Sequence, residues 1–190
     1  MNKFFKLIVI ALVSIMLIVI IKPYVDDYKE HKQYDFTVDT IDGKISKDDF
    51  KGKVLAIYFG YTYCPDVCPT SLSSLAQALR ELPDEKSKDV VGLFISVDPD
   101  RDTLKNIKAY AQYFHPNYIG GTSTKENIDE ITSRYKAYYK KVKLENSAMD
   151  YSVAHTSVIY IFGKDGKLKK AVTHFSNPSK IKESLEKILQ

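Results

Sequence analysis

The sequence predicts an α/β fold, a central sheet flanked by helices, with a single N-terminal transmembrane helix in front of it. Three observations carry this expectation. Residues 54–60 and 90–97 are nearly unbroken apolar runs, as strands buried on both faces require. Apolar residues recur at helical spacing in three stretches between such runs. Asp42-Gly43 and Asp165-Gly166 stand between short β-prone segments as hairpin turn signals.

In chain order, Asp35-Phe36-Thr37-Val38 and Lys44-Ile45-Ser46 form the first hairpin, and 54–60 is the first long strand. Pro69 suits the first turn of a helix. Leu72, Leu75, Ala76, Leu79 and Leu82 give that helix its apolar face until Pro83 stops it. After the strand 90–97, Asp102 is the expected N-cap of a helix bearing Leu104, Ile107, Ala111 and Phe114, which ends at His115-Pro116. A short strand at 118–121 follows. Ser123 to Glu126 has the capping-box pattern for a helix reaching about Tyr139, with Tyr135, Tyr138 and Tyr139 covering one of its faces. Residues 155–162 and 167–173 are expected to pair as a second hairpin, with His155 opening its first strand. Asn177-Pro178 opens the last helix. This order is the thioredoxin-like layout with an added N-terminal β-hairpin.

The N-terminus is a membrane signal. Residues 1–6 are a basic lead, and 7–21 is an apolar run interrupted only by Ser14. At ~1.5 Å per residue the run covers roughly 22 Å, short of the ~30 Å hydrocarbon core. Phe4 and Phe5 extend it, and Lys6 and Lys22 can snorkel. Bulky Ile18-Val19-Ile20-Ile21 lacks the small residues of a secretory cleavage site, so an uncleaved anchor is expected rather than a removed leader. Three segments result: a membrane anchor over 1–22, a polar linker over 23–33, and a domain over 34–190. The basic lead places the N-terminus inside. The domain then lies outside the cytoplasmic (inner) membrane, on its periplasmic or extracytoplasmic side.

The net charge of +4 comes from 28 basic and 24 acidic side chains that are well interleaved, which argues against a nucleic-acid surface. Chemistry concentrates elsewhere. Cys64 and Cys68 are the only cysteines, in Tyr63-Cys64-Pro65-Asp66-Val67-Cys68-Pro69, at the C-terminal end of the first long strand. Such a pair can close into a disulfide or offer two thiolates to one metal ion. The helix beginning near Pro69 directs its positive end at both sulfurs and should lower their pKa. His155, in a strand that this layout brings near the cysteine loop, can complete a ligand set. Two thiolates and an imidazole suit copper, as Cu(I) or Cu(II). Structural zinc would want a fourth ligand. Asp98, Asp100 and Asp102 read as turn and cap residues rather than an ion cluster, with Asp98 near enough to shape the cysteine surroundings. Tyr58, Tyr61 and Tyr63 border the loop. His31, His115 and His174 look incidental.

Residues 58–70, Ser96-Val97-Asp98-Pro99-Asp100-Arg101-Asp102-Thr103 and Tyr151-x-x-x-His155-Thr156 together resemble the Sco/SenC family. Its members are membrane-anchored, thioredoxin-like copper-binding proteins that help build the CuA centre in cytochrome c oxidase subunit II. The resemblance spans 34–190 and implies that Cys64, Cys68 and His155 bind copper. It also implies a metallochaperone rather than an enzyme, whose partner is subunit II or another copper-accepting protein. Ala154 departs from the family, which commonly has Asp before the ligand histidine. The competing expectation is a thiol–disulfide oxidoreductase that works through Cys64 and Cys68 and keeps the recipient's cysteines reduced.

Overall fold

The computed structural model describes residues 3–145, 147, 149–173 and 176–190. It divides into two compact units, Met1–Tyr34 and Asp35–Gln190. The first unit is one helix, α1 (Lys3–Gln33), with no buried residue. The stretch expected as a linker is therefore helical: the turn structure runs on through Pro23 into residues such as Lys29, Glu30 and Lys32, which favour helix. Ser14 donates its hydroxyl to the carbonyl of Ile10, so the one polar side chain in the apolar run is satisfied by its own helix.

The second unit opens with the expected hairpin, β1 (Thr37–Thr40) and β2 (Gly43–Ser46), paired antiparallel. Gly43 takes the turn at φ 125°, where a side chain would be strained. Next come β3 (Val54–Gly60), α2 (Val67–Arg80), the short α3 (Asp84–Ser87), β4 (Val90–Ser96), α4 (Leu104–Phe114), β5 (Tyr118–Gly121) and α5 (Lys125–Arg134). The chain ends with β6 (Tyr139–Lys143), β7 (Tyr151–His155), β8 (Val158–Phe162), β9 (Leu168–Thr173) and α6 (Pro178–Ile188).

Five strands form the main sheet in the order β5-β4-β3-β8-β9. β3, β4 and β5 run parallel, while β8 and β9 are antiparallel to their neighbours. Every residue of β3 is buried, which its unbroken apolar sequence anticipated. The helix α2 packs beside α6, and α4 lies on β4 and β5. Two close approaches need glycine: a Cβ on Gly92 would meet the Tyr118 ring at 2.4 Å, and one on Gly120 would meet the Ile107 carbonyl at 2.5 Å.

Three expectations are corrected. Thr103, not Asp102, caps α4: its hydroxyl accepts from the Asn106 amide, and Asp102 turns inward instead. The fifth helix is capped by Thr124 and stops at Arg134, because Lys136 adopts φ 54° and turns the chain into β6. Tyr135 then packs edge-on against Phe59 and Tyr160, Tyr138 is exposed, and Tyr139 starts a strand. Finally, His155 closes β7 rather than opening β8. β7 pairs with β6, and the second sheet hairpin is β8–β9 alone. His115 is buried at the end of α4, where its Nδ1 accepts from the Asn117 amide, and His174 lies outside the described residues.

Candidate metal centre

The parallel pair β3–β4 delivers the cysteines. Gly60 ends β3, and its carbonyl accepts from the Val97 amide, so the chain leaves the sheet between two fixed strand ends. The Tyr61–Asp66 loop then enters α2, with Cys68 in the first turn. Both thiols are free and buried, Cys68 completely and Cys64 at 8% exposure. A Cβ at residue 60 would lie 2.7 Å from Cys68 Sγ, so the absence of a side chain there makes the seat for that sulfur.

The ribbon β6–β7 delivers the histidine. His155 Nε2 lies 3.2 Å from Cys68 Sγ and 4.0 Å from Cys64 Sγ. The three donor atoms all fall within 4.8 Å of one another, and this is the one such histidine, cysteine and carboxylate group among the described residues. Metal bonds of about 2.0–2.3 Å at tetrahedral to trigonal angles separate the ligand atoms by about 3.6–4.0 Å. The Cys68 to His155 separation falls a little short of that span and the Cys64 to His155 separation lies at its upper end, so little movement is needed for one ion to be held by all three. His155 Nδ1 lies 3.2 Å from the Thr156 carbonyl; a proton donated there would turn the Nε2 lone pair to the sulfurs, the tautomer a metal ligand requires. The rings of Tyr58 and Tyr61 meet the imidazole edge-on at 6.0 and 5.9 Å and limit its rotation.

The thiols are not equivalent, which corrects the expectation that the helix terminus lowers both. Cys64 is pushed down to about 3, chiefly by the hydrogen bond from the Cys68 thiol, against the opposing effect of burial. His155 and the backbone amides of Cys68 and Asp66 add to the lowering; the Cys68 amide lies 3.4 Å from Cys64 Sγ. Cys68 is pushed far up, first by burial and then by its role as donor to Cys64. The copper-free pair is thus a thiolate at Cys64 and a neutral thiol at Cys68.

Two buried carboxylates fix the frame. Asp102 accepts from the Thr62 amide at 2.9 Å, from the Thr62 hydroxyl at 2.5 Å and from the Ser96 hydroxyl, tying the cysteine loop to the end of β4. Asp98 accepts from Arg101 Nε at 2.6 Å and from the Tyr151 hydroxyl at 2.8 Å. Arg101 also donates to the Tyr151 carbonyl at 2.9 Å and stacks 3.7 Å above that ring. The start of β7 is therefore anchored on the loop after β4. Asp100 lies at the surface, paired with Lys141. None of the three aspartates joins the donor group. Sequence reasoning placed Asp98 near the cysteines but gave Asp102 only a turn and capping role and Gly60 none.

An open cavity of about 370 Å³ leads to the site, with Pro65, Asp66 and Val67 on one side and Ser152 and Ala154 on the other. Cys64 and His155 line its floor. The SCO1/SenC family profile matches residues 25–190. The chain belongs to the SCO1/SenC family. A SCO2-like protein of Rickettsia felis is 36% identical over 153 residues, covering 80% of this chain and 74% of the relative. Arabidopsis thaliana ScoI, solved with copper bound, superposes with a TM-score of 0.73 at 34% identity, over 82% of this chain and 96% of that one. Bradyrhizobium japonicum ScoI, also solved with copper bound, gives 0.72 at 34% identity, over 81% and 97%. The thioredoxin-like fold read from the order of the elements is the fold observed, shared with these Sco structures.

Proposed function

We propose that this chain is a copper carrier for oxidase assembly, with Cys64, Cys68 and His155 as its ligands. It delivers the ion to the CuA site of cytochrome c oxidase subunit II or to another copper-accepting protein. The observation that carries the reading is the convergence of two sulfurs and one correctly oriented imidazole nitrogen within 4.8 Å. Two thiolates hold Cu(I), the nitrogen extends the set toward Cu(II), and a three-ligand site leaves room for an incoming ligand. The copper-bound relatives of the same fold support the choice of metal. The apolar helix α1 holds the domain at the outer face of the cytoplasmic membrane.

The difference between the thiols favours a second activity on the same residues. A Cys64 thiolate beside a Cys68 thiol is the arrangement for attack on a disulfide followed by resolution of the mixed disulfide. Two electrons then pass from the pair to the substrate disulfide; Cys68 gives up its one proton, and the second proton of the reduced product comes from solvent. His155→Ala separates the two readings. We expect copper affinity to fall by about tenfold or more, in line with loss of one ligand arm, while reduction of a model disulfide stays within about twofold. Unchanged copper affinity in titrations against a competing chelator would remove His155 from the site.

A further inference from the structure

The whole excess of positive charge in this chain lies in its last 27 residues. Residues 164–190 hold seven lysines against Asp165, Glu183 and Glu186, a balance of +4, so residues 1–163 are neutral. The fold gathers part of this excess into one cleft. β9 is an edge strand of the main sheet, and α6 lies beside it. Lys180, Glu183, Ser184 and Lys187, at helical spacing, form one stripe of α6, while Ile181 and Leu185 on the neighbouring stripe are buried. The charged stripe lines an open cavity of about 390 Å³ together with Lys170, Thr173 and Ser176. Lys187 donates to Glu183 at 2.7 Å; this bond, and the charges of Lys170 and Lys180 beside it, hold the Glu183 carboxyl below its ordinary range. One carboxylate thus faces three ammoniums. Lys170 and Lys180 are exposed and have no ion pair among the described residues. Lysines on an edge strand alone would serve to keep other strands from pairing with it. Two of these three stand on a helix instead and line the same opening.

We infer that this cleft is where the folded unit rests on a membrane, taking the phosphate groups of anionic phospholipids. The inference goes beyond the copper-carrier reading and does not depend on it. α1 is long and apolar enough to cross a bilayer, and the folded unit follows it directly in the chain. A unit tethered in this way stays near headgroups, and complementary charge selects which of its faces meets them. A lipid phosphate accepts from the ammoniums and from the hydroxyls of Thr173, Ser176 and Ser184. The cations are exposed, which suits a headgroup layer that meets several of them at once. A single free phosphate would have to be held against water by solvated side chains. Each lysine near an anionic surface strengthens attachment about fivefold, an effect that fades over a Debye length of ~8–10 Å.

The test uses the full chain in nanodiscs of phosphatidylcholine, alone or mixed with phosphatidylglycerol. A water-soluble acylating reagent modifies the lysines, and mass spectrometry reads the rate at each one. At low salt, phosphatidylglycerol should slow labelling of Lys170, Lys180 and Lys187 by about threefold or more. Lys44 and Lys125 are exposed controls at the other edge of the sheet, where β1 bridges to Thr122 beyond β5, and should keep their rates. Salt at about 0.5 M should remove the slowing. The double variant Lys170→Glu with Lys180→Glu should lose it at Lys187; both positions are exposed, and an unchanged melting temperature would show that the variant folds. Equal rates in the two discs, slowing shared equally by Lys44 and Lys125, or slowing at Lys187 that survives in the double variant would overturn the inference. Inorganic phosphate added to phosphatidylcholine discs should leave all rates unchanged. Protection equal to that given by the lipid would make the cleft a site for free anions and would also overturn it.

Discussion

Cys64 and Cys68 carry the same side chain into different surroundings, and the difference sets how the site meets protons. Cys64 accepts hydrogen bonds from a thiol and backbone amides, whereas Cys68 is wholly buried against Gly60 and Tyr58. At neutral pH one sulfur is charged and one is not. With both cysteines as ligands, as proposed, metal uptake should expel about one proton, from Cys68. The effect on stability has a definite sign. Cys64 has its folded pKa at about 3 against an ordinary thiol value of 9.0, so between these limits the unfolded chain binds more protons. The reduced, copper-free protein should gain stability as pH rises from about 3 toward 9.0, a contribution lost again as pH falls through the lower value. The raised Cys68 works the other way, and only once pH passes the ordinary thiol value. Melting temperatures of wild type minus Cys64→Ser across this window check the expectation. A flat difference would place the charge elsewhere.

At the scale of elements, the site is a meeting of two bodies. β3 and α2 bring the sulfurs, and the β6–β7 ribbon brings the nitrogen. Local chemistry made the first half legible: the apolar runs of β3 and β4, the proline in the first turn of α2 and the Asn177 cap of α6, whose side chain accepts from Ser179, all act within a few residues. The second half was not legible in the same way. Nothing between Tyr135 and Tyr139 contradicts a continuing helix until Lys136 takes a left-handed conformation, and β6 pairs with β7 across a loop without a hairpin turn signature. That ribbon is fixed by Asp98, Arg101 and Tyr151, contacts that sequence spacing cannot show. The end of β3 is where the elements constrain the Cys68 sulfur most tightly. Gly60→Ala would place a methyl 2.7 Å from Cys68 Sγ and 2.9 Å from the Phe94 ring. Overpacking of this kind costs about 1–3 kcal/mol. We expect that loss in denaturant melts, together with weaker copper binding. A variant with full stability and affinity would mean that the sulfur has another seat.

Across the whole molecule, the chain combines a folded unit from Asp35 to Gln190 with a 31-residue helix whose apolar side chains are all exposed. Such a helix extends roughly 46 Å at ~1.5 Å per residue, more than the ~30 Å of hydrocarbon it would have to cross. Its apolar part was legible from composition; the continuation past Pro23 was not, because proline usually ends a helix. If the helix is an uncleaved anchor, the mature protein should remain with membranes after an alkaline carbonate wash and should keep its N-terminal residues by mass. Release into the wash, or a shortened N-terminus, would identify a removed leader instead.

Among the described residues, the ribbon that ends in His155 shares no strand pairing with the five-stranded sheet that positions the cysteines. Loosening the ribbon therefore displaces one of three grips while the sheet stays intact. On the carrier reading proposed above, a cargo held in this manner would be surrendered stepwise, imidazole first and sulfurs last, with the sheet kept intact for reloading.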